Sequence, residues 1–253
     1  MDLGIKGKKA LITGGGRGIG REIALNLANE GVHVCILSRT EEELRGVCAE
    51  ILDRGGKATY KVFDLVSGDY EKLKLEINSE IGNIDIIVNN ATKPSKQQKI
   101  TNVSDEEWYK TIETDLNSQF KILKYFLNDM KDNKWGKIIV IGSTTASSGA
   151  SGYSAYCSVK SALEGLVKNV AVDYSKFGIT INMVSPGVVE TERLRKAASQ
   201  ELIQKFIAAT SIKRLAKPQE IANVVTFLSS DASSYITGAN IPVSGGLNLA
   251  NLW

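Results

Sequence analysis

Tyr156 and Lys160 stand four residues apart, with Ser143 upstream of them. Positions i and i+4 of a helix share one face, which brings the lysine ammonium within one turn of the phenol. A cation there favours phenolate and lowers the phenol's pKa from about 10, giving an acid/base usable near neutrality. Far upstream, an apolar run ending at Thr13 leads directly into Gly14-Gly15-Gly16-Arg17-Gly18-Ile19-Gly20. Glycines placed after a strand and at the mouth of a helix let backbone approach a pyrophosphate closely, while the helix N-terminus offers unpaired N–H donors and a positive dipole. The turn lacks the GxGxxG spacing, and a glycine turn alone also serves purely structural ends. Combined with Ser143, Tyr156 and Lys160, it describes a site for hydride transfer.

Such a site needs a scaffold, and the chain is patterned for one. Lys8–Thr13, Val32–Ser38, Lys57–Phe63, Ile84–Asn89, Lys137–Gly142 and Ile179–Ser185 are short apolar, mostly β-branched runs, the pattern of parallel strands buried on both faces. Helical sequence separates them, including Gly18–Asn29, Glu41–Arg54, Ile112–Lys131 and Ser154–Tyr174. This alternation predicts an α/β protein with a doubly wound parallel sheet, the Rossmann fold, in a single domain over 1–253. Ligands of such sheets bind beyond the carboxyl ends of the strands. The loops Thr92–Thr101 and Thr144–Gly152 lie at two such ends.

Cofactor choice is set after the second strand, where an acidic side chain binds the adenosine ribose and repels a 2′-phosphate. This chain has Ser38-Arg39 there, with Arg17 in the glycine turn. Two guanidinium groups suit a 2′-phosphate through charge-assisted bonds, which predicts NADP rather than NAD. Asp64-Leu65 and Asn89-Asn90-Ala91 close the third and fourth strands on the rim where adenine and ribose would lie.

The same residues, in the same order, resemble the short-chain dehydrogenase/reductase family over nearly the whole chain. The likeness rests on Thr13-Gly14 with Gly18 and Gly20, on Asn89-Asn90-Ala91, Ser143, Tyr156 with Lys160, and Pro186-Gly187 followed by Thr191. Within the family, Ile138–Ser143, Gly178–Gly187 and Arg214–Ile221 are most similar to 3-oxoacyl-[acyl-carrier-protein] reductases. The resemblance implies that Tyr156 is the general acid/base, that Ser143 hydrogen-bonds the substrate oxygen, and that Lys160 tunes Tyr156 and holds the nicotinamide ribose. It implies cofactor contacts from Gly14, Gly16, Arg17, Gly18, Ile19, Gly20, Ser38, Arg39, Asp64, Leu65, Asn90 and Ala91. Further contacts are implied for Tyr156, Lys160, Pro186, Gly187, Val188, Val189 and Thr191, with the turn at Pro186 to Val188 and Thr191 orienting the nicotinamide carboxamide. It also implies a homotetramer paired through Ile112–Lys131 and Ser154–Tyr174.

Three positions depart from the family pattern. Asp115 stands where the family usually has Asn in a proton relay, so Asp115 is a candidate catalytic residue whose charge favours the Lys160 ammonium. Asn117 substitutes for it only if the local helix is shifted. Thr92 replaces a common glycine, and Ser244 precedes the paired glycines where Asp is frequent, a change expected to affect a subunit contact or loop anchoring.

The segment Thr191–Thr210 is expected to form a helical lid over the substrate, with Leu194, Leu202, Ile203, Phe206 and Ile207 beside Arg193, Arg195 and Lys196. Lys93, Lys96, Lys99 and Lys134 are either solvated lysines or attractors for an acidic carrier protein or phosphopantetheine. The expected substrate is a small-molecule or carrier-bound carbonyl compound. An alcohol, sugar or steroid dehydrogenase of the same fold and a non-catalytic NADP-binding regulator are the alternatives. The single histidine, His33, sits within a strand, away from any Ser/Asp pairing, and no His, Cys and carboxylate cluster has metal-ligand spacing.

Bulk composition bounds the rest. Lys+Arg 31 against Asp+Glu 28 leaves +3, too little and too dispersed for a nucleic-acid or membrane surface. Cys35, Cys48 and Cys157 form no CxxC pair and are expected as free thiols in a reducing compartment, with Cys157 as a buried small hydrophobe. No run approaches the roughly 18 apolar residues of a membrane span, so a soluble cytoplasmic protein is expected. The apolar Leu247–Trp253 tail is expected either to dock on a partner subunit or to fray.

Overall fold

The structure is a computed structural model that describes residues 2–93, 95–247 and 249. Its strands are β1 (Lys9–Thr13), β2 (His33–Ser38), β3 (Lys57–Val62), β4 (Ile86–Asn89), β5 (Gly136–Ile141), β6 (Ile179–Pro186) and β7 (Asn240–Val243). All pair in parallel in one sheet of order β3-β2-β1-β4-β5-β6-β7. The order reverses between β1 and β4, and the crevice at that switch point is where a doubly wound sheet receives a nucleotide. The helices are α1 (Gly18–Asn29), α2 (Glu41–Asp53), α3 (Tyr70–Glu80), α4 (Asp105–Ile112), α5 (Ser118–Asn133), α6 (Thr145–Ser148) and α7 (Ser154–Tyr174). After β6 come α8 (Glu192–Ala197), α9 (Gln200–Ala209) and α10 (Pro218–Leu228).

Alternate strand residues feed two apolar layers, as period-two side chains must. Ala10 and Ile12 of β1 pack with Ile23 and Leu27 of α1, Leu44 of α2 and Ile221 of α10. Leu11, between them, faces Leu73 of α3, Phe126 of α5 and Leu163 of α7. Burying one such aliphatic side chain fully is worth about 1.5–3 kcal/mol. These layers therefore hold the strand ends in fixed relation, and the site is built on those ends.

Three elements differ from the sequence expectation. A seventh strand, β7, extends the sheet past β6; it is short, carries Pro242 and is only partly buried, so it lacks the apolar run that marks the other six. The lid is two helices rather than one, because Ser199 accepts a hydrogen bond from Leu202 N and starts a second helix at Gln200. The helix expected over Ile112–Lys131 is interrupted by a π-helical turn at Glu113–Asn117, which leads into α5. Asp115 sits within that turn. Asn117 spends its amide on the Glu113 carboxylate and does not take over the Asp115 position. The tail expectation falls mostly on residues 248 and 250–253, outside the described residues.

Candidate active site

The glycine turn joins β1 to α1. Gly14 and Gly18 adopt left-handed φ of 67° and 56°, conformations that cost other residues energy. Gly20 is required for a different reason: a Cβ there would lie 2.2 Å from the Gly14 carbonyl oxygen and 2.5 Å from the Asn90 side-chain nitrogen. Asn90 fastens the turn, donating from Nδ2 to the carbonyls of Thr13 (2.9 Å) and Gly14 (3.1 Å). The Thr13 hydroxyl accepts from the amides of Asn90 and Ala91, both at 3.0 Å. The end of β4 thereby braces the turn, and the Asn90 side chain is spent on backbone. Helix α1 opens with no side-chain cap at Arg17 and no acidic residue in its first turn, so its leading N–H groups and positive dipole are open to an anion. This cradle fits a dinucleotide pyrophosphate. Thr191, at the start of α8, overlies Gly18, with its methyl 3.5 Å from where a Cβ would stand.

At the end of β2 the two arginines already have acidic neighbours. Arg17 pairs with Glu43 of α2 at 3.2 Å, and Arg39 lies 4.0 Å from Asp64. Both guanidinium groups are largely exposed, so these pairs are weak and leave the arginines able to turn to a phosphate. The Ser38 hydroxyl donates to the Thr40 carbonyl, and Asp64 accepts from Val66 N at 2.8 Å, a local turn at the strand end. Glu43 was not among the expected residues. Its only sequence signal was membership of the acidic first turn Glu41–Glu43, which serves equally well as a helix-dipole partner.

Ser143 follows β5, while Tyr156 and Lys160 lie one turn apart on α7. The Ser143 hydroxyl lies beside the Tyr156 oxygen and favours its anionic form. The same hydroxyl is 2.8 Å from Thr145 Oγ1 and accepts from Thr145 N at 3.2 Å, which fixes its position. Lys160 is 1% exposed, donates to the Ile141 carbonyl at 2.8 Å and stands 5.6 Å from the centre of the Tyr156 ring. Burial brings its pKa down to about 8, opposed by the charge of Asp115.

The expected depression of Tyr156 by Lys160 is not found. The phenol is pushed above its ordinary value, first by burial and further by the Asp115 charge, against opposing effects of Ser143 and Arg193. The ammonium is turned to a backbone carbonyl and stands over the ring instead of at the phenol oxygen, which leaves desolvation dominant. Tyr156 is therefore a proton donor at neutral pH.

Asp115 is fully buried and accepts from the Thr92 hydroxyl and from Lys93 N, the latter at 2.7 Å. Burial raises its pKa, with Lys160, both hydrogen bonds and Arg193 opposing. Lys93 was expected as a free surface cation, but it folds back onto Glu107 of α4 at 2.6 Å. Arg193 lies on α8 close enough to influence both Tyr156 and Asp115; the sequence placed it on the lid without saying which way it faced. Ser244-Gly245-Gly246 anchors the segment after α9, since Gly245 O accepts from Ile212 N and Gly246 O from the Ser211 hydroxyl, both at 3.1 Å.

A cavity of about 10 Å³ beside Tyr156, bounded by Ser95, Gln98, Thr111, Gly152 and Tyr153, has room for about one water. Cys35 and Cys48 are buried thiols and Cys157 is partly exposed, all unpaired. Among the described residues no group of three or more His, Cys, Asp and Glu could hold a metal ion, and no helix is long and apolar enough to cross a membrane.

A parallel doubly wound sheet with a glycine cradle at its switch point and a Ser, Tyr and Lys set beyond β5 defines a nucleotide-dependent oxidoreductase of the short-chain type. Residues 14–248 match the family model described as "Enoyl-(Acyl carrier protein) reductase". With curated relatives covering almost the full length, the chain belongs to the short-chain dehydrogenase/reductase family. It is 38% identical to the 3-oxoacyl-[acyl-carrier-protein] reductase FabG of Escherichia coli over 97% of this chain and 99% of that protein. A solved 3-oxoacyl (acyl-carrier-protein) reductase from Agrobacterium tumefaciens with NADP bound superposes with a TM-score of 0.90 at 29% identity, covering 96% of this chain and 95% of that one. A structure from Beutenbergia cavernae, provisionally described as an NAD(P) dependent gluconate 5-dehydrogenase, gives a TM-score of 0.92 at 30% identity over 98% and 99% of the two chains.

Proposed function

We propose that this protein uses NADPH to reduce a 3-oxoacyl thioester, or a related β-keto compound, to a secondary alcohol. The observation that carries the reading is the convergence of the Ser143 and Tyr156 hydroxyls, beside buried Lys160, on the same rim as the glycine cradle. Two hydroxyls aimed at one point suit a carbonyl oxygen, whereas saturating an enoyl double bond places a proton on carbon. That favours the activity in the names of the 3-oxoacyl relatives over the one in the family description.

A dihydronicotinamide held in this cleft would supply the hydride for the carbonyl carbon. Ser143, fixed by Thr145, donates to the carbonyl oxygen as negative charge develops there. Tyr156 delivers its proton to that oxygen, and the Ser143 hydroxyl beside it favours the resulting phenolate, while Lys160 would hold the nicotinamide ribose. Gly14, Gly16, Gly18, Ile19 and Gly20 would present backbone to the pyrophosphate, and Ser38, Arg39 and Arg17 would face the 2′-phosphate. Asp64, Leu65, Asn90 and Ala91 would hold the adenine and ribose, and Pro186, Gly187, Val188, Val189 and Thr191 the nicotinamide.

A secondary-alcohol or sugar dehydrogenase is the second reading, supported by the similarity to the gluconate 5-dehydrogenase structure. We place the protein in the cytoplasm as a single domain over 1–253, in keeping with its unpaired cysteines and single sheet. Exposed Tyr109 and Phe120 on α4 and α5, and Val172 and Tyr235 near the far end of α7, support a homotetramer, which light scattering tests. The activity is tested by NADPH absorbance loss against β-ketoacyl thioesters, diketones, steroids and sugars, with NADH in parallel. Turnover of β-ketoacyl thioesters with NADPH preferred is expected. Tight NADPH binding with no turnover on any substrate would make the protein a regulator.

A further inference from the structure

Two of the three departures from the family pattern, Thr92 and Asp115, are bonded to each other. The Asp115 carboxylate lies at 0% exposure in the π-helical turn that packs on α7. Both of its oxygens accept, one from the Thr92 hydroxyl and one from the Lys93 amide, so it is held as an acceptor by the loop that leaves β4. Lys93 is fixed in turn by Glu107 of α4. The clamp holds the carboxylate in one orientation beside the catalytic pair.

We propose that Asp115, clamped by Thr92 and the Lys93 amide, is a positioning residue whose fixed charge governs how tightly Tyr156 and Lys160 hold their protons, and so the pH window in which the site works. A fixed negative charge beside Tyr156 and Lys160 favours the proton-bearing form of each, which keeps Tyr156 loaded with its proton to higher pH and makes it a weaker acid. The inference rests on the ketoreductase reading above.

Every charged or titratable group that bears on the pair fits this account. Lys160 feels Asp115 alone, and in the upward direction. Tyr156 feels Asp115 upward, Arg193 of α8 downward and, more weakly, its neighbour Cys157 upward. Asp115 feels Lys160 and Arg193, which both favour its anionic form. A carboxylate in this environment raises the affinity of both neighbours for protons, and an asparagine of the same shape removes that contribution while leaving burial, Ser143 and Arg193 in place.

The test needs no turnover. Tyr156 is titrated in the cofactor-free protein by 13Cζ-tyrosine NMR, its signal assigned by loss in Tyr156→Phe. In Asp115→Asn the phenolate midpoint should fall by about one pH unit, at the low end of the effect of a close charge. That gives about tenfold more phenolate at any pH well below the midpoint. Asp115→Ser also removes the charge, with a smaller side chain, and should move the midpoint the same way.

In kinetics, the alkaline limb of kcat for reduction and the acid limb of kcat for oxidation should both move to lower pH in Asp115→Asn, since both report the same proton. A merely structural Asp115 would lower Tm and leave the midpoint and both limbs in place, and that result overturns the proposal. Should Asp115→Asn fail to fold, an unmoved midpoint in Asp115→Ser does the same. If the wild-type protein turns over no β-keto compound, the ketoreductase reading fails, while the titration still decides whether Asp115 biases the pair.

Discussion

Adding a single methyl group at Gly20 is a severe perturbation for its size. In Gly20→Ala the new carbon would stand 2.2 Å from the Gly14 carbonyl oxygen, 2.5 Å from Asn90 Nδ2 and 2.9 Å from the Gly14 carbonyl carbon. Ordinary contact requires about 3.4 Å or more, and two of the three obstacles are backbone. The turn must therefore move by about 1 Å or lose the Asn90 fastening at 2.9 and 3.1 Å. Overpacking of this kind costs about 1–3 kcal/mol. For a chain of this length each kcal/mol lowers Tm by about 2 °C, so a fall of about 2–6 °C is expected. The functional loss should be larger, because the displaced atoms are those that approach the pyrophosphate.

Gly46→Ala supplies the control within the same protein. It adds the same methyl on an exposed face of α2, where nothing lies within 4 Å. There alanine should stabilise the helix by up to about 1 kcal/mol. Differential scanning calorimetry and titration of NADPH fluorescence on both variants give the comparison. A Gly20→Ala protein with wild-type Tm and wild-type NADPH affinity would refute the reasoning.

Arg39→Ala should raise KM for NADPH about tenfold or more while changing KM for NADH little, and Glu43→Gln, which frees Arg17, should lower KM for NADPH; steady-state kinetics with both cofactors checks the pair. Burial pushes the Cys35 thiol up to about 12 and Cys48 up to about 11, so a thiol-disulfide reagent at pH 8 should leave both unmodified in the folded protein and react with them in denaturant, as mass spectrometry can show. Glu220 accepts from Arg214 and from Lys217 N at the start of α10, and these bonds hold its pKa near 2 against an ordinary 4.5. A depressed carboxyl stabilises above its unfolded pKa, so Glu220→Gln should lower Tm at pH 7, and the gap to wild type should close as pH falls from about 4.5 toward 2.

What could be seen in the sequence was what each residue says by itself or with its near neighbours. The six apolar runs and the glycine turn declared themselves because a strand buried on both faces has no polar phase to hide it, and Gly18–Asn29 and Ser154–Tyr174 match their helices end to end. β7 escaped because an edge strand with a proline needs no apolar run. The break at Ser199 was written as an N-cap inside an apparently continuous lid. The remaining differences depend on contacts between distant positions: Glu43 against Arg17, Lys93 against Glu107, and Thr92 against Asp115. The Tyr156 proton affinity was misjudged because i,i+4 spacing fixes which face the lysine occupies, but neither where its ammonium points nor how much water the phenol has lost.

The most direct test of the account is a single-turnover measurement with acetoacetyl thioester and NADPH at neutral pH, comparing wild type with Tyr156→Phe. The wild-type protein should form the 3-hydroxyacyl product. Tyr156→Phe should still bind NADPH and react about 10²–10⁴-fold more slowly, the usual contribution of a positioned general acid. Equal rates in the two proteins would contradict the role given to the Tyr156 proton, and with it the mechanism.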